Sequence, residues 1–445
     1  MAQNPRMAVV QALSGLHREK RYSNIVLDEL IKTSAFSAPD RALVSRLFYG
    51  VIERQLTIDY VLQQASRISL SKLHPLVLET LRVAVYQLLY LDKIPPAAAV
   101  NEAVSGIRKF KQGNASGFVN GVLRGILRKR DSLFDALPSG DVGLSIRYSC
   151  PEQFIAFWRE AYGESTMLAL LDAMNAAPPS YVRVNTLCTT DQAFAEMLEN
   201  QGIGYQIQAD IPHSFALNGA YLGNKLESAD KNCYYYQDKA SQYACLALGA
   251  QPGESIIDVC AAPGGKSFTI AQQMQNCGRL VSCDVYESKC DTMKRRAEEL
   301  GITLLQTAVR DAQKTPAAAD IGAYDRVVCD VPCSGLGVIR RKPEIRYKSL
   351  AEFEGLPALQ YAILDSSAAL VKDGGVLQYS TCTLNPAENE AVADRFLAAH
   401  PEFSPRILPL DSCFKATGSE PSHTITLFPH IHHTDGFFIA GFQKT

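Results

Sequence analysis

The sequence predicts a multidomain protein: an all-α first domain over residues 1–140, a small α+β module over 145–237, and an α/β domain over 238–445. Three observations predict this. The 445 residues are too many for one ordinary domain and suit two or three. Up to about residue 135, apolar positions recur at helical spacing and strand signals are nearly absent. From about 238, apolar strands alternate with helical stretches, the pattern of a parallel sheet covered on both faces.

Taken in order, Asp40 precedes RALVSRLFYGVIER as an N-cap candidate, and Leu76, Leu81, Val85, Leu88 and Leu89 mark a helix by their spacing. IPPAAAVNEAVSGIRKF places prolines at a helix entry. Gly121 and Gly125, four apart in FVNGVLRGILRKR, predict a close approach of two helices. LPSGDVG at 137–143 reads as a linker. Residues 151–175 read as helix and AAPPS breaks the pattern. YVRVNTL then reads as a strand, DQAFAEMLENQG as a helix ended by Gly202, and YQIQ as a second strand. SIIDVC, RLVSCDV, LLQTAV, YDRVVCDV and GGVLQYSTC follow as the strands of the last domain. Ligands of such sheets sit at the carboxyl ends of the strands.

Composition narrows the function classes. Hydrophobic residues make up 47% and charged residues 20%, as in a soluble globular protein. No run of about 18 apolar residues suggests a membrane span. The N-terminal stretch lacks the apolar segment and cleavage site of a signal peptide, so a cytoplasmic protein is expected. The 12 cysteines form no C-x-x-C pair, which predicts neither a zinc site nor a disulfide framework; no metal is expected. Nothing demands a dimer, so a monomer is expected. Residues 1–150 carry 20 Lys/Arg against 12 Asp/Glu, and the remainder 24 against 34. A basic first third on an acidic remainder points to an anionic partner for the first domain.

DVCAAPGGK, Asp258 to Lys266, puts a tight Pro263-Gly264-Gly265 turn between a strand and a helix N-terminus, where backbone can approach a ligand. A phosphate-binding G-x-x-x-x-G-K-[ST] loop would need glycine at 260, which is Cys260, and G-x-G-x-x-G is absent. Acids stand at three successive strand ends: Asp284, Asp311 and Asp330. Carboxylates there can accept from ribose hydroxyls and an adenine amino group. The pattern describes an adenosine-containing ligand without a pyrophosphate; S-adenosylmethionine fits it better than NAD.

Two cysteines follow sheet strands on the same side: Cys333 in CDVPCSGLG and Cys382 in VLQYSTCTLNPAENE. Two thiols and Asp330 in one pocket suit methylation of a pyrimidine at carbon 5. A thiolate adding at carbon 6 makes carbon 5 nucleophilic, and a base must later remove the carbon 5 proton so that the thiol can leave. Spacing alone does not decide which thiol attacks.

DVCAAPGGK, CDVPCSGLGVIRRKPEIR and YSTCTLNPAENE resemble the motifs of the RNA cytosine-5 methyltransferases of the Sun/Fmu and nucleolar-protein-1 type, the RsmB/NOP family. The first domain, with IPPAAAVNEAV, resembles the NusB-type RNA-binding domain. The pairing is similar to bacterial 16S rRNA cytosine-5 methyltransferases over essentially the whole chain. The resemblance implies a NusB-like first domain, a Rossmann-like class I methyltransferase domain, S-adenosylmethionine as cofactor and 16S rRNA as partner. It implies Cys382 as the nucleophile and Cys333 as the thiol that assists product release. It also implies that Cys260, Ala261, Ala262, Pro263, Gly264, Gly265, Lys266, Asp284, Asp311 and Asp330 line the cofactor site. Asp330 would also reach the cytosine, and Lys266 would help orient it. Leu336 departs from the family, whose members often carry Thr or Ser there.

The target base must leave its stack to meet a thiol, so single-stranded or loop RNA is the expected substrate. IRRKPEIRYK at 339–348 offers Arg340, Arg341, Lys342, Arg346 and Lys348 as phosphate contacts. Two other readings compete. One is an RNA-binding assembly factor with a vestigial methyltransferase fold, which the intact cysteines, acids and glycine turn oppose. The other is methyl transfer to a protein or small molecule, which needs no paired thiols.

Overall fold

The computed structural model describes residues 4–19, 22–218 and 231–445 and divides into two compact units. The first runs to Ala176 and also takes in Ile339–Lys348; the second holds Ala177–Val338 and Ser349–Thr445.

The first unit is helical: α1 (Pro5–Glu19), α2 (Ser23–Thr33), α3 (Ala38–Glu53), α4 (Gln55–Ala65), α5 (Pro75–Tyr90), α6 (Pro96–Lys109), α7 (Ser116–Arg128), α8 (Gly140–Tyr148) and α9 (Glu152–Met174). α5 lies against α1, α3, α4 and α6 and buries Leu81, Val85 and Leu88 among them, while Leu76 and Leu89 are only half-buried. α6 starts at the prolines, as read from the sequence. Three expectations need correction. The N-cap of α3 is Ser37, whose hydroxyl accepts from the Asp40 N–H; Asp40 sits in the first turn, because Pro39 fits only inside a helix start. Gly121 and Gly125 admit no second helix: added side-chain atoms would meet nothing closer than an Arg128 nitrogen at 4.0 Å. They line a groove of about 520 Å³ with Arg67, Arg128 and Lys129. The linker is shorter than its composition suggests, since α8 begins at Gly140. Arg108, Lys109, Lys111, Arg124, Arg128, Lys129 and Arg130 are exposed, so the positive charge of this unit faces water.

Of the five cations in 339–348 expected as phosphate contacts, Arg340 and Arg346 are buried, Arg341 and Lys348 are half-buried and Lys342 is exposed, so the expectation needs correction for Arg340 and Arg346. Arg346 is fully buried and its Nη1 donates to the carbonyls of Glu53 (2.8 Å) and Ser149 (3.0 Å). The Tyr347 hydroxyl donates to the Ile52 carbonyl at 2.6 Å, and Ser23 Oγ donates to Glu344 at 2.6 Å. Arg340 is buried as well. A guanidinium has five donors and can cap helix-end carbonyls that would otherwise lack partners. Arg346→Ala is therefore expected to lower the stability of this unit by about 3 kcal/mol, read in urea unfolding, because one buried and one part-buried carbonyl lose a charged donor.

The second unit begins with a four-stranded antiparallel sheet, order β2-β3-β1-β4, made of β1 (Ser180–Val184), β2 (Tyr205–Ile207), β3 (Ser214–Leu217) and β4 (Tyr234–Tyr236), with helix α10 (Asp191–Asn200). Phe194, Leu198 and Phe215 form its core. The sequence reading has β1, α10 and β2 but not β3 or β4. Residues 219–230 of the expected middle module lie outside the described residues.

α11 (Lys239–Leu248) leads into the large sheet, whose strands are β5 (Ser255–Asp258), β6 (Arg279–Asp284), β7 (Leu305–Val309), β8 (Tyr324–Asp330), β9 (Val371–Thr381), β10 (Phe403–Pro405), β11 (Thr424–Leu427) and β12 (Phe437–Lys444). The helices are α12 (Gly265–Gln273), α13 (Glu287–Glu299), α14 (Leu356–Ala368), α15 (Glu390–Ala399), α16 (Asp411–Thr417) and α17 (Pro429–His432). The order is β10-β12-β9-β8-β5-β6-β7, with β11 also on β12. β5 to β9 are parallel and match the expected strands. The last three strands are antiparallel additions that the sequence reading does not contain. The strand order reverses beside β5, the place where open α/β sheets leave a crevice at their carboxyl ends.

Candidate active site

The motifs collect at those carboxyl ends. Asp258 ends β5, Asp284 ends β6, Asp311 lies two residues past β7, Asp330 ends β8 and Cys382 directly follows β9. Residues Cys260 to Gly264 carry the chain from β5 into α12. Gly264 has φ +106°, a conformation strained for any other residue, and a Cβ there would sit 2.4 Å from the Phe268 ring. The turn is held by Gly264 N donating to Ala261 O at 2.7 Å and by Ala261 N donating to Cys283 O at 2.8 Å.

Asp258 lies under this turn, and the sequence reading gave it no role. It is buried and accepts from Ser267 Oγ at 2.8 Å; Ser267 in turn accepts from Ser282 Oγ at 2.9 Å. Burial pushes its carboxyl up to about 7, against the Ser267 bond. Its position as the last strand residue before a glycine turn was the available signal.

Lys266 and Asp330 meet directly. Lys266 Nζ donates to Asp330 Oδ2 at 2.6 Å and lies 3.4 Å from Ser241 Oγ, with the Phe437 ring beneath it at 5.2 Å. Burial alone would depress the ammonium, but Asp330 raises it above the ordinary lysine value, so it is charged at neutral pH. Ser380 Oγ donates to Asp330 Oδ1 at 2.9 Å. Asp330 and Ser380 are register partners across β8 and β9, which fixes this pair by backbone pairing.

The two candidate thiols face each other, Cys333 Sγ to Cys382 Sγ, at 3.1 Å. Both are part-exposed, and Cys382 comes two residues after Ser380 on Asp330. The Cys333 thiol is raised well above the ordinary value, first by its hydrogen bond with Cys382, then by burial and by the charge of Glu388. Cys245, Cys283 and Cys329 are buried packing groups. Burial pushes Cys329 and Cys283 up to about 12 and Cys245 up to about 11, and holds Cys260 protonated too. Asp284 accepts from Tyr286 N at 3.1 Å and lies 3.4 Å from Lys289 Nζ; Asp311 accepts from Gln313 N at 3.1 Å. These two stand on the β6 and β7 side of the glycine turn, and the thiols stand on the β8 and β9 side.

The loop bearing Cys333 has its own supports. Gly337 N donates to Cys382 O at 3.1 Å and Gly436 N donates to Gly337 O at 2.9 Å. A Cβ on Gly337 would lie 1.9 Å from Gly436 O, so only glycine fits. Leu336 is buried. Glu388, quoted within the last motif but given no role from sequence, is fully buried beside this loop.

Comparison with known proteins completes the picture. A model of the family described as 16S rRNA methyltransferase RsmB/F matches residues 245–443. The NusB family matches residues 3–128, and a Methyltr_RsmF/B-like ferredoxin-like domain matches 150–222. A Bacillus subtilis (strain 168) protein named probable ribosomal RNA small subunit methyltransferase B is 34% identical over 99% of this chain and 98% of its own length. The ribosomal RNA small subunit methyltransferase B of Sodalis glossinidius (strain morsitans) is 30% identical over 92% of this chain and 90% of its own. The crystal structure of PH0851 is similar across 100% of both chains, with a TM-score of 0.81 at 26% identity.

Proposed function

The chain belongs to the RsmB/F family of 16S rRNA methyltransferases, and on that premise we propose that it methylates carbon 5 of a specific cytosine in 16S rRNA through a covalent adduct of Cys382 with carbon 6. The observation that carries this reading is the pair of thiols 3.1 Å apart, next to the Lys266–Asp330 pair and at the same sheet edge as the glycine turn.

The cofactor of the family is S-adenosylmethionine, and the residues present fit it. The first turn of α12 has backbone N–H groups without helical partners, and Asp284 and Asp311 provide acceptors on two adjoining strands. We assign Cys260 to Lys266, Asp284, Asp311 and Asp330 to its binding. When bound, it supplies an electrophilic methyl group to carbon 5.

The chain's own residues do the rest. The Cys382 sulfur bonds to carbon 6, which makes carbon 5 a nucleophile. Asp330, held by Lys266 and Ser380, faces the polar edge of the base and stabilises the adduct, and Lys266 orients both. After transfer a base takes the carbon 5 proton, the electron pair of that bond re-forms the carbon 5–carbon 6 double bond, and the carbon 6–sulfur bond breaks to return the Cys382 thiolate. Cys333 assists this release, the nearest sulfur to the bond that breaks. The exposed cations of the helical unit hold the RNA by its phosphates, so affinity falls with salt. The target lies in a single-stranded or loop region, where extruding a base costs least.

The test is bisulfite mapping of 16S rRNA from cells with and without this chain. One cytosine is expected to lose its protection completely in the deletion strain and to regain it when the gene is restored. An unchanged map would overturn the reading.

A further inference from the structure

Glu388 lies among three donors and has no part in the chemistry above. Its Oε2 accepts from the Ser334 backbone N–H at 2.9 Å and from Gln360 Nε2 at 2.8 Å, and its Oε1 accepts from Asn385 Nδ2 at 2.8 Å. The carboxylate is fully buried. Ser334 follows Cys333, and Gln360 Nε2 also donates to the Pro332 carbonyl at 2.9 Å, so both neighbours of Cys333 are tied to this one network. The backbone leading from Cys382 is tied to it too. Ser334 Oγ and Thr383 Oγ1 are 2.6 Å apart, and the Tyr379 hydroxyl of β9 donates to the Glu388 carbonyl at 2.5 Å.

Resting on the function proposed above, we propose that Glu388 is a positioning residue for the methyl transfer: its carboxylate fixes the Cys333 loop against the Cys382 strand end and so sets the approach of the two sulfurs. It touches neither sulfur and acts through Ser334 N and Gln360. A buried carboxylate meeting three N–H donors is a strong and directional anchor, since each bond is charge-assisted. A neutral amide cannot replace it. Glutamine would offer one accepting oxygen where three donors converge, and Asn385 cannot turn its amide to compensate, because its Oδ1 already accepts from Ala387 N at 3.1 Å.

The charge has a second effect. The titratable groups facing Cys333 are Cys382, Glu388 and Tyr379. The Cys333 thiol is raised first by its hydrogen bond with Cys382 and by burial, and the neighbouring Glu388 carboxylate adds to that rise.

The test uses the full chain with Glu388→Gln and, as a milder change, Gln360→Met. Titration with S-adenosylmethionine verifies folding and is expected to stay within about twofold of the parent. Single-turnover methylation is expected to fall by at least about tenfold in Glu388→Gln and by less in Gln360→Met. A purely structural role would not move a third readout. In a Cys382→Ala background, alkylation of Cys333 by iodoacetamide at fixed pH, followed on the Cys333 peptide by mass spectrometry, is expected to speed up several-fold with Glu388→Gln. Methylation by Glu388→Gln within about twofold of the parent overturns the proposal, and so does unchanged alkylation. If Glu388→Gln fails to bind the donor, Gln360→Met decides: full activity in that variant overturns it. Failure of the functional reading is distinguishable, because then the unmutated protein itself would methylate no cytosine.

Discussion

Cys382→Ala will abolish methyl transfer, lowering the single-turnover rate by at least about a thousandfold, or about 4 kcal/mol of barrier, while S-adenosylmethionine still binds. The reasoning is local. The residue loses only a part-exposed sulfur directly past β9. Its backbone is held from outside by the Gly337 N–H, and Thr381 before it is locked by a 2.6 Å bond to Asn389. The glycine turn and the β6 and β7 acids have supports of their own, in the Gly264 N to Ala261 O, Tyr286 N to Asp284 and Gln313 N to Asp311 bonds. Without it carbon 5 of the pyrimidine stays a poor nucleophile, and no geometry elsewhere in the pocket can compensate. The measurement is incorporation of labelled methyl group into 16S rRNA, paired with calorimetric titration of the donor. Near-normal incorporation would remove Cys382 from the chemistry altogether.

Cys333→Ala should behave differently. The first bond to carbon 6 still forms, the methyl group is still delivered, and the step that fails is release. A covalent RNA–protein species that survives denaturing electrophoresis is therefore expected to accumulate towards one per active site, while multiple turnover falls by at least about a hundredfold. The proximity of the two sulfurs, 3.1 Å, is what makes the pair separable in this way. If instead Cys382→Ala accumulates the adduct and Cys333→Ala forms none, the two roles are exchanged. Spacing along the sequence left that choice open, and only the family resemblance separated them.

Much of the catalytic domain was legible because its signals are local. Apolar runs such as YDRVVCDV and LLQTAV are buried on both faces of a parallel sheet, so they stand out without any partner being known. The chemistry-bearing residues follow those runs directly, which is why Lys266, Asp330, Cys333 and Cys382 could be placed on one edge in advance. What escaped depends on contacts distant in sequence. Glu388 looked like one acid in a polar tail, and its meaning lies in a Ser334 N–H 54 residues away. Arg346 was read as a phosphate contact because a run of charges in sequence points to a partner outside the chain. Its partners are carbonyls 293 and 197 residues earlier. The strand Phe437–Lys444 is apolar enough to notice, but its antiparallel pairing with β9 follows from topology rather than composition. Gly121 and Gly125 misled for the opposite reason: a spacing that permits close helix contact does not supply the second helix.

The stretch 339–348 leaves the catalytic unit one residue past the Gly337 support, contributes Arg346 and Tyr347 to the helical unit, and returns. The polypeptide therefore passes between the units three times, after residues 176, 338 and 348. A protease nick after residue 176 would not separate the halves, since two strands of chain would still join them. Nor is either half a clean module for gene shuffling. A fragment starting at 177 would carry a loose loop with Ile345 and a guanidinium stripped of its carbonyls, and a fragment ending at 176 would lack the plug that caps its own helices.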